Sequence, residues 1–317
     1  MSDPAAKTLA PSSTTAVSVV MCTYNGAHFV KEQIASILSQ TYPLHELLIF
    51  DDASTDDTAR IVAEIILGHP FAKLIINERN KGFAKNFEQA LKAASGQVIA
   101  ISDQDDIWLD NKIEKLLKAW RSECPMIYCA SKPFQGSRPD VIAPTPSNFR
   151  YFEGKDARKI FFRNTVSGHN ILLRQSFLAK VLPLPTKTYY DWFIAVVAAY
   201  NGGVQFYPEI MVLHRMHGNN ATMDTATTGK KYSIGSKQSI IDATQSFMNI
   251  EAMPLAHKNM ASKLCKLMQE SLTEKFSKPL FSFLFKYRSL LFNYKRRKIG
   301  FFSHLKHSYR IATQSDL

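Results

Sequence analysis

The chain lacks a glycine-rich phosphate loop, since neither GxGxxG nor GxxxxGK followed by Ser or Thr occurs among its 13 glycines. Those loops let backbone amides cradle phosphate, so their absence argues against a dinucleotide-binding Rossmann site and a P-loop nucleotide site. Cysteine is also scarce, and the four residues form neither a CxxC pair nor a metal-ligand spacing. Zinc modules and disulfide frameworks are therefore not indicated, and a reducing, cytoplasmic setting is expected.

Long apolar runs are missing too, because no stretch reaches the roughly 18 residues that a membrane-spanning helix needs. The first 15 residues, MSDPAAKTLAPSSTT, lack the basic start and apolar core of a secretory signal. We expect residues 1–15 to form a disordered leader. The 317 residues, with 45% hydrophobic and 21% charged side chains, are otherwise typical of a folded globular protein with one or two domains.

Acidic residues become scarce toward the C-terminus. The whole chain carries a net charge of +12, and Glu251–Leu317 alone holds 13 basic and four acidic residues. Residues 237–317 show a helical pattern in which Phe, Leu and Tyr alternate with Lys and Arg, most densely at Lys295–Lys298. This basic helical region favours peripheral contact with an anionic membrane. A structural helical cap and a nucleic-acid surface use the same residue types, although no nucleic-acid recognition motif accompanies them.

The first half of the chain alternates strands and helices. The predicted strands are VSVVMCTY, HELLIFDD, AKLIIN and QVIAIS, and the helices between them are HFVKEQIASILSQ, TDDTARIVAEIIL and FAKNFEQALKAAS. We expect Ser54 and Thr55 to cap the second helix and Gly96 to end the third. Such alternation predicts an α/β fold with a mainly parallel sheet flanked by helices.

Polar residues follow the predicted strands, at the edge where ligands bind in such sheets. Thr23 and Tyr24 follow the first strand, Asp52 the second, and the string DQDD of Asp103–Asp106 the fourth. Like charges this close repel each other, so the string is either a solvated turn or a divalent cation site. Its position on the shared edge favours the cation site. The string does not fit the pattern of a phosphatase with an aspartate nucleophile, whereas a metal-bridged nucleotide diphosphate needs no glycine loop.

Four blocks in order, VSVVMCTYNGAHFVKEQIASILSQTYP, LLIFDDASTDDT, NKGFAKNFEQAL and SDQDDIWLDNKI, resemble the family-2 glycosyltransferases. Three later pieces, TVSGHNILLR, YYDWFIAVVAAYNGG and LHRMHGNNAT, resemble the rhamnosyltransferase-like branch of that family. The resemblance covers about residues 16–220. It implies a GT-A fold and an inverting reaction, with a transferase domain over residues 16–236 and the basic helical region over residues 237–317.

The resemblance also implies roles for particular residues. The nucleotide pocket would be lined by Thr23, Tyr24, Asp52 and Asp103. Asp105 would bind the Mg²⁺ or Mn²⁺ ion that bridges the two phosphates, and His217 in LHRMHGNN would reach that metal or the diphosphate. Asp191 in YYDWF would be the general base, taking a proton from the acceptor hydroxyl. Family members often have Glu or His before this aspartate, whereas this chain has Tyr190.

The remaining candidates for donor or acceptor contacts are Asp106, Trp108, Gly168, His169, Trp192 and Arg215. Arg215 would contact phosphate or form a surface ion pair, and the two tryptophans would stack on sugar or pack behind the site. We expect His214 to be structural. The polar segment Gly218–Ser236 is either a loop that closes over the donor or a plain linker.

These observations predict transfer of a sugar from a nucleotide diphosphate donor to a glycan or lipid-linked glycan in cell-surface polysaccharide synthesis. Rhamnose from a dTDP donor is the first choice, on the resemblance alone. We expect the enzyme in the cytoplasm, associated with the inner face of the cell membrane. The alternatives are a catalytically silent nucleotide-sugar or glycan binding module at the membrane surface, and an interaction protein that works mainly through its basic tail.

Overall fold

The computed structural model describes residues 14–139, 149–218, 236–295 and 300–313. The strands in these ranges are β1 (Val17–Thr23), β2 (Glu46–Asp51), β3 (Ala72–Ile76), β4 (Val98–Ser102), β5 (Ile107–Trp108), β6 (Met126–Phe134), β7 (Ile171–Arg174) and β8 (Val204–Arg215). The α-helices are α1 (Val30–Leu38), α2 (Thr58–Ile66), α3 (Phe83–Ala93), α4 (Lys112–Ala119), α5 (Leu178–Val181), α6 (Tyr190–Tyr200), α7 (Lys237–Phe247), α8 (Leu255–Glu270), α9 (Lys278–Lys286), α10 (Arg288–Leu291) and α11 (Phe301–Thr313).

The chain forms two compact units. The first comprises Met1–Thr145, Ser167–Thr186 and Gly202–Met216, and it contains all eight of these strands. The second comprises Pro146–Val166, Lys187–Asn201 and His217–Leu317. Helix α6, which the sequence assigned to the transferase domain, therefore groups with the C-terminal helices.

One mixed sheet of eight strands organises the first unit, in the order β3-β2-β1-β4-β7-β6-β8-β5. The first four strands run parallel, as their alternation with helices predicts. Strand β7 is antiparallel to both β4 and β6, whereas β6 is parallel to β8. The predicted α/β class with a mainly parallel sheet and a C-terminal helical region is confirmed.

The central strands are buried on both faces, which is why they read as continuous apolar runs. Every residue of β2 and β4 is buried, and six of the seven residues of β1 are. Helix α1 packs Val30, Ile34 and Ile37 into the same core. These patterns are local in sequence, and this part of the fold was accordingly predicted.

The start of α2 differs from the prediction. The hydroxyl of Ser54 donates to Asp51 Oδ1 at 2.6 Å, and the amide of Thr55 donates to Asn25 Oδ1 at 2.8 Å. Ser54 Oγ also accepts a hydrogen bond from the Asn25 amide at 2.9 Å. Both residues therefore tie together the turns after β1 and β2 rather than cap the helix, which begins only at Thr58. The capping prediction was wrong because these polar groups have closer partners across the sheet edge.

Gly96 also has a different role from the expected helix C-cap. Helix α3 ends at Ala93, three residues earlier, and Gly96 donates its amide hydrogen to Ser18 Oγ at 2.8 Å. A Cβ atom at Gly96 would lie 2.8 Å from the carbonyl oxygen of Ala16. Glycine is needed here for close backbone approach to β1, not for a left-handed conformation.

The second unit packs α6 and α7 around aromatic side chains. The Phe247 ring lies 5.7 Å from the Trp192 ring and 5.7 Å from the Phe161 ring, between centroids. The Thr188 hydroxyl donates to the carbonyl of Asp242 at 3.1 Å. Helix α7 thus covers the start of α6, and the C-terminal region supplies part of this core.

Several expectations fall partly or wholly outside the described residues. They concern the leader up to residue 13, the polar segment after Gly218 up to residue 235, and the basic residues 296–298. All four cysteines are described and are free thiols. None of the described helices combines the length and apolar character that a bilayer crossing requires.

Candidate active site

The parallel strands β1, β2 and β4 bring their carboxyl ends to one edge of the sheet. Thr23 at the end of β1 is level with Asp51 at the end of β2, and Ser102 at the end of β4 pairs with Met21. The polar residues that follow these strands therefore share this edge, as the sequence predicts.

The turn after β1 is fixed to the acidic loop by an amide side chain. Gln104 accepts a hydrogen bond from the Tyr24 amide at 2.9 Å and donates one to the Tyr24 carbonyl at 3.1 Å. The Tyr24 ring is exposed. Thr23 is buried, and its hydroxyl donates to Asp51 Oδ1 at 2.8 Å. Tyr24 thus offers an accessible ring surface in the turn that Gln104 holds against the acidic loop.

Asp52 is buried and holds the turn before α3. Its Oδ1 accepts hydrogen bonds from Asn77 Nδ2 and the Lys81 amide, and its Oδ2 accepts one from the Gly82 amide, each at 2.8 Å. A nucleotide base that binds Asp52 would share the carboxylate with these three donors.

The acidic loop after β4 contains Asp103, Asp105 and Asp106. Each offers a carboxylate oxygen, and these oxygens lie within 4.8 Å of one another. Asp103 is half-buried, Asp105 is buried, and Asp106 is fully buried. Exposure therefore decreases along the loop, and Asp103 is its most accessible carboxylate.

Asp106 is held by the end of β8. Its Oδ1 accepts hydrogen bonds from His214 Nδ1 and the Arg215 amide, both at 3.0 Å. Its Oδ2 is buried without a hydrogen-bond partner and lies 3.6 Å from His169 Nδ1. Burial alone would raise the pKa of Asp106, but the two imidazoles and the amide outweigh it and lower the pKa.

Two histidines lie stacked against this carboxylate. The rings of His169 and His214 are 4.6 Å apart and inclined by 8°. His169 Nδ1 is also 3.5 Å from Asp103 Oδ2. Burial opposes the charged form of His214, but the hydrogen bond and charge of Asp106 raise its pKa. His214, expected to be structural, therefore supports the acidic loop directly.

Arg215 fixes the backbone of the loop. Its Nε donates to the Asp105 carbonyl at 3.0 Å, and Nη1 donates to the Gly136 carbonyl at 2.8 Å. Its Nη2 pairs with Glu32 on α1. Arg215 is buried, so the expected surface ion pair was wrong about its setting. The guanidinium thus holds Asp105 through its backbone carbonyl.

Sequence reasoning missed Lys112, the first residue of α4. Its ammonium donates to the His169 carbonyl at 2.9 Å and lies 3.4 Å above the Trp108 ring centre. Burial lowers the pKa of Lys112 to about 7, against the opposing charges of Asp106 and Asp103. A cation in the first turn of a helix is disfavoured by the helix dipole, and that was the available signal.

Trp108 and Gly168 lie behind the loop. The Trp108 ring is fully buried, and the Lys112 ammonium lies above it. Gly168 is buried and opens the 3-10 turn Gly168–Asn170 that carries His169. For Trp108 the structure favours packing over stacking on sugar, because a stacking ring has to be accessible.

The second unit carries the other predicted residues. Asp191 lies half-buried in the first turn of α6, and its Oδ1 accepts a hydrogen bond from the Trp192 amide at 2.6 Å. The indole of Trp192 is buried and donates to the Ile160 carbonyl at 2.6 Å, which again indicates packing. His217 is half-buried, two residues beyond the end of β8. Asp191 thus lies at the end of α6 where the helix dipole favours acidic residues.

The donor set of the acidic loop suits a hard divalent cation. Three carboxylates converge, and Asp106 Oδ2 has no other hydrogen-bond partner. Oxygen ligands of this kind are those that Mg²⁺ and Mn²⁺ prefer. The residues present therefore fit such an ion.

The fold is similar to that of solved nucleotide-sugar enzymes. A Staphylococcus aureus TarS fragment crystallised with UDP-GlcNAc aligns over 94% of this chain and 90% of its own, with a TM-score of 0.60 and 17% identity. A Pyrobaculum calidifontis mannosyltransferase in complex with GDP-Man and Mn²⁺ aligns over 83% of this chain and 75% of its own, with a TM-score of 0.55 and 18% identity. At these identities the likeness establishes the fold, and the predicted GT-A fold is confirmed.

Sequence relatives are similar over shorter spans. The Escherichia coli enzyme WfgD, named as a UDP-Glc:alpha-D-GlcNAc-diphosphoundecaprenol beta-1,3-glucosyltransferase, is 46% identical over 98 residues, or 31% of this chain and 38% of WfgD. The uncharacterised Mycobacterium tuberculosis protein Rv1520 is 27% identical over 228 residues, or 68% of this chain and 63% of Rv1520. The family model described as glycosyl transferase family 2 matches residues 18–182. Because the family model matches more than half of the residues of this chain, the chain belongs to glycosyl transferase family 2.

Proposed function

We propose that the protein is a metal-dependent, inverting glycosyltransferase that uses a nucleotide diphosphate sugar. The observation that carries the proposal is the acidic loop Asp103–Asp106, which brings three carboxylates together at the ligand edge of the sheet. Carboxylates so placed suit a cation that neutralises a diphosphate. Family membership and the nucleotide-sugar complexes of the structural relatives support the same reaction class.

The donor is proposed to bind at the edge that Tyr24 and the acidic loop form. Its nucleotide would contact Thr23, Tyr24, Asp52 and Asp103. Asp105, with His217, would hold Mg²⁺ or Mn²⁺. The bound ion would supply positive charge that stabilises the leaving diphosphate. Arg215 contributes by keeping the Asp105 carbonyl in place.

Asp191 is proposed as the general base. It lies in the first turn of α6, where the helix dipole favours a carboxylate. As the acceptor proton leaves, the acceptor oxygen bonds to the anomeric carbon while the bond from that carbon to the diphosphate oxygen breaks. A single displacement inverts the configuration of the sugar.

We propose a glycan or lipid-linked glycan as the acceptor, in the synthesis of cell-surface polysaccharide at the cytoplasmic face of the membrane. The name of WfgD, which includes a diphosphoundecaprenol acceptor, supports this class of substrate. Rhamnose from dTDP-rhamnose remains the first donor to test, because the later motifs of the chain resemble the rhamnosyltransferase-like branch. UDP-glucose is the second, because WfgD uses it by name.

A thermal-shift screen of nucleotide sugars tests donor binding. The full chain is heated with dTDP-rhamnose, UDP-glucose, UDP-GlcNAc or GDP-mannose, in Mn²⁺, in Mg²⁺ or in EDTA. A true donor stabilises the native state, so we expect a metal-dependent rise in melting temperature. Asp105→Asn is expected to lose that rise, whereas Asp191→Asn is expected to keep it. A screen without any metal-dependent shift would contradict the proposal.

Turnover separates an enzyme from a binding module. Release of the nucleotide diphosphate is measured with the donor found above and a set of glycan and lipid-linked acceptors. We expect wild type to turn over and Asp191→Asn to lose turnover. Full activity in Asp191→Asn would refute the base assignment. Donor binding without release under any acceptor would favour the catalytically silent module, which the same acidic loop could serve.

A further inference from the structure

Six aromatic side chains form a continuous row on the C-terminal helices. The row consists of Tyr309, Phe276, Phe281, Phe285, Phe301 and Phe302, and it runs over α9, α11 and the residues beside them. Neighbouring rings along the row lie between 5.3 and 6.0 Å apart, centroid to centroid. The contacts make one connected apolar surface rather than scattered exposed residues.

Four of the six rings in the aromatic row are exposed to solvent, and Phe281 and Phe285 between them are half-buried. The exposed fraction is 81% for Phe302, 57% for Phe301, 55% for Tyr309 and 42% for Phe276. The helices are held to the fold by other side chains, because Leu280, Leu284 and Ile311 are fully buried. A contiguous apolar surface that the core does not need marks an interaction site.

The sequence around the aromatic row is strongly basic, although Glu274 lies two residues before Phe276. From Lys275 to Ser315 the sequence has ten Lys and Arg residues and no Asp or Glu. Lys278, Lys286, Lys306 and Arg310 are exposed, and the Arg288 guanidinium lies 4.4 Å from the Phe285 ring centre. Such a surface is complementary to an anionic partner and repels a second copy of itself.

We propose that the aromatic row docks into the headgroup region of an anionic lipid bilayer. Aromatic rings insert at the boundary between headgroups and acyl chains, while lysine and arginine remain with anionic headgroups. Neither α9, with nine residues, nor α11, with 13, has the length to span a bilayer, so the helices would lie along its surface. The inference goes beyond sugar transfer and does not depend on it, because lipid binding needs neither donor nor acceptor.

Vesicle co-sedimentation of the full chain tests the proposal. The probes are phosphatidylcholine vesicles with and without phosphatidylglycerol. We expect binding to the anionic vesicles, and about a tenfold loss of that binding in Phe301→Ser/Phe302→Ser. Lys278→Gln/Lys306→Gln/Arg310→Gln is expected to lose the preference for phosphatidylglycerol. The control is Leu255→Ser, because Leu255 is 73% exposed at the start of α8 and lies outside the row.

Three results would overturn the proposal. The first is that wild type binds neither vesicle, and the second is that Leu255→Ser and the phenylalanine variant lose binding equally. The third is that wild type is a dimer and the phenylalanine variant a monomer, while neither protein binds vesicles. Circular dichroism and melting temperature check that each variant is folded. Donor-dependent thermal shift is measured on the same samples, so failure of lipid binding is distinguished from failure of the proposed sugar-donor site.

Discussion

At the scale of single residues, the protein itself offsets part of the charge of the acidic loop. Three carboxylates meet there, and the nearby groups that can carry positive charge include Lys112, Arg215 and His214. Lys112 donates to the backbone of the turn that carries His169, Arg215 donates to the Asp105 carbonyl, and His214 donates to the Asp106 carboxylate. The loop is therefore preformed, and a divalent cation has only the remaining negative charge to neutralise.

Replacing Arg215 with lysine tests the hold on Asp105. A lysine keeps the charge but loses the planar fork that reaches Asp105, Gly136 and Glu32 together. We expect Arg215→Lys to raise the metal concentration for half-maximal thermal shift about tenfold and to lower the free energy of unfolding by about 1–3 kcal/mol. Arg60→Lys is the control, because Arg60 forms only exposed ion pairs. Unchanged metal affinity in Arg215→Lys would contradict the assignment.

His214 offers a second test of the same loop. Alanine removes the hydrogen bond to Asp106, whereas asparagine can present an amide donor near the position of Nδ1. We expect His214→Ala to destabilise the fold by about 1–3 kcal/mol and to weaken metal binding, and His214→Asn to recover part of both. Metal titration followed by melting temperature measures the two effects. Equal metal affinity in both variants and wild type would show that His214 does not position the loop.

At the scale of elements, α4 is tied to β5 and to the 3-10 turn by one buried ammonium. Lys112 begins α4, contacts Trp108 on β5, and donates to the carbonyl of His169. The unfolded chain binds the lysine proton up to about pH 10, whereas the folded pKa of Lys112 is about 7. Between these values the unfolded state holds more protons, so the stability of the native state rises with pH.

Lys112→Met is expected to remove this pH dependence. Relative to the variant, the free energy of unfolding of wild type should increase from pH 7 to pH 9 by at most about 1.4 kcal/mol per pH unit. Urea unfolding at several pH values measures the slope. Lys118→Met, which changes an exposed lysine of the same helix, should retain the slope of wild type. Parallel curves for wild type and Lys112→Met would refute the assignment.

The elements also separate what the sequence predicts from what it cannot. Strands β1–β4 and helices α1–α3 follow from apolar patterns within a few residues of each other. Strands β6 and β8 pair across about 80 positions, and no local pattern encodes that register. The acidic loop was predicted from its place after a strand. Its supports, Lys112 and Arg215, were missed or misplaced because burial of a charge depends on contacts distant in sequence.

At the scale of the whole molecule, the helices of the C-terminal region differ in what they contact. Helix α7 completes the core around α6, the helix of the proposed base, whereas α9 and α11 carry the exposed aromatic row. The structural-cap interpretation therefore fits α7, whereas the surface contact that we propose concerns α9 and α11. Removing the region to test membrane binding would also disturb α6.

Phe247→Ala tests that dependence in the full chain. Phe247 is fully buried between Trp192 and Phe161, so its truncation should cost about 3–5 kcal/mol of unfolding free energy. We expect turnover to be lost at the temperature where α6 melts. At lower temperatures the stabilisation by the donor should persist. Leu255→Ala, at a side chain that is 73% exposed at the start of α8, should leave both stability and turnover unchanged. Wild-type stability in Phe247→Ala would show that α7 is dispensable to α6.

The close approach of Gly96 to β1 lies at the amino ends of β1 and β4, whereas the aspartates follow the carboxyl end of β4. Nearby, Glu46 accepts hydrogen bonds from the Ser18 hydroxyl at 2.6 Å and the Ser95 amide at 2.7 Å. Structural hydrogen bonds thus lie at the amino ends of the strands and the candidate site at their carboxyl ends, separated by the length of the strands. Engineering for heat tolerance or storage should begin at the amino ends, where a substitution can stabilise the protein without altering the candidate site.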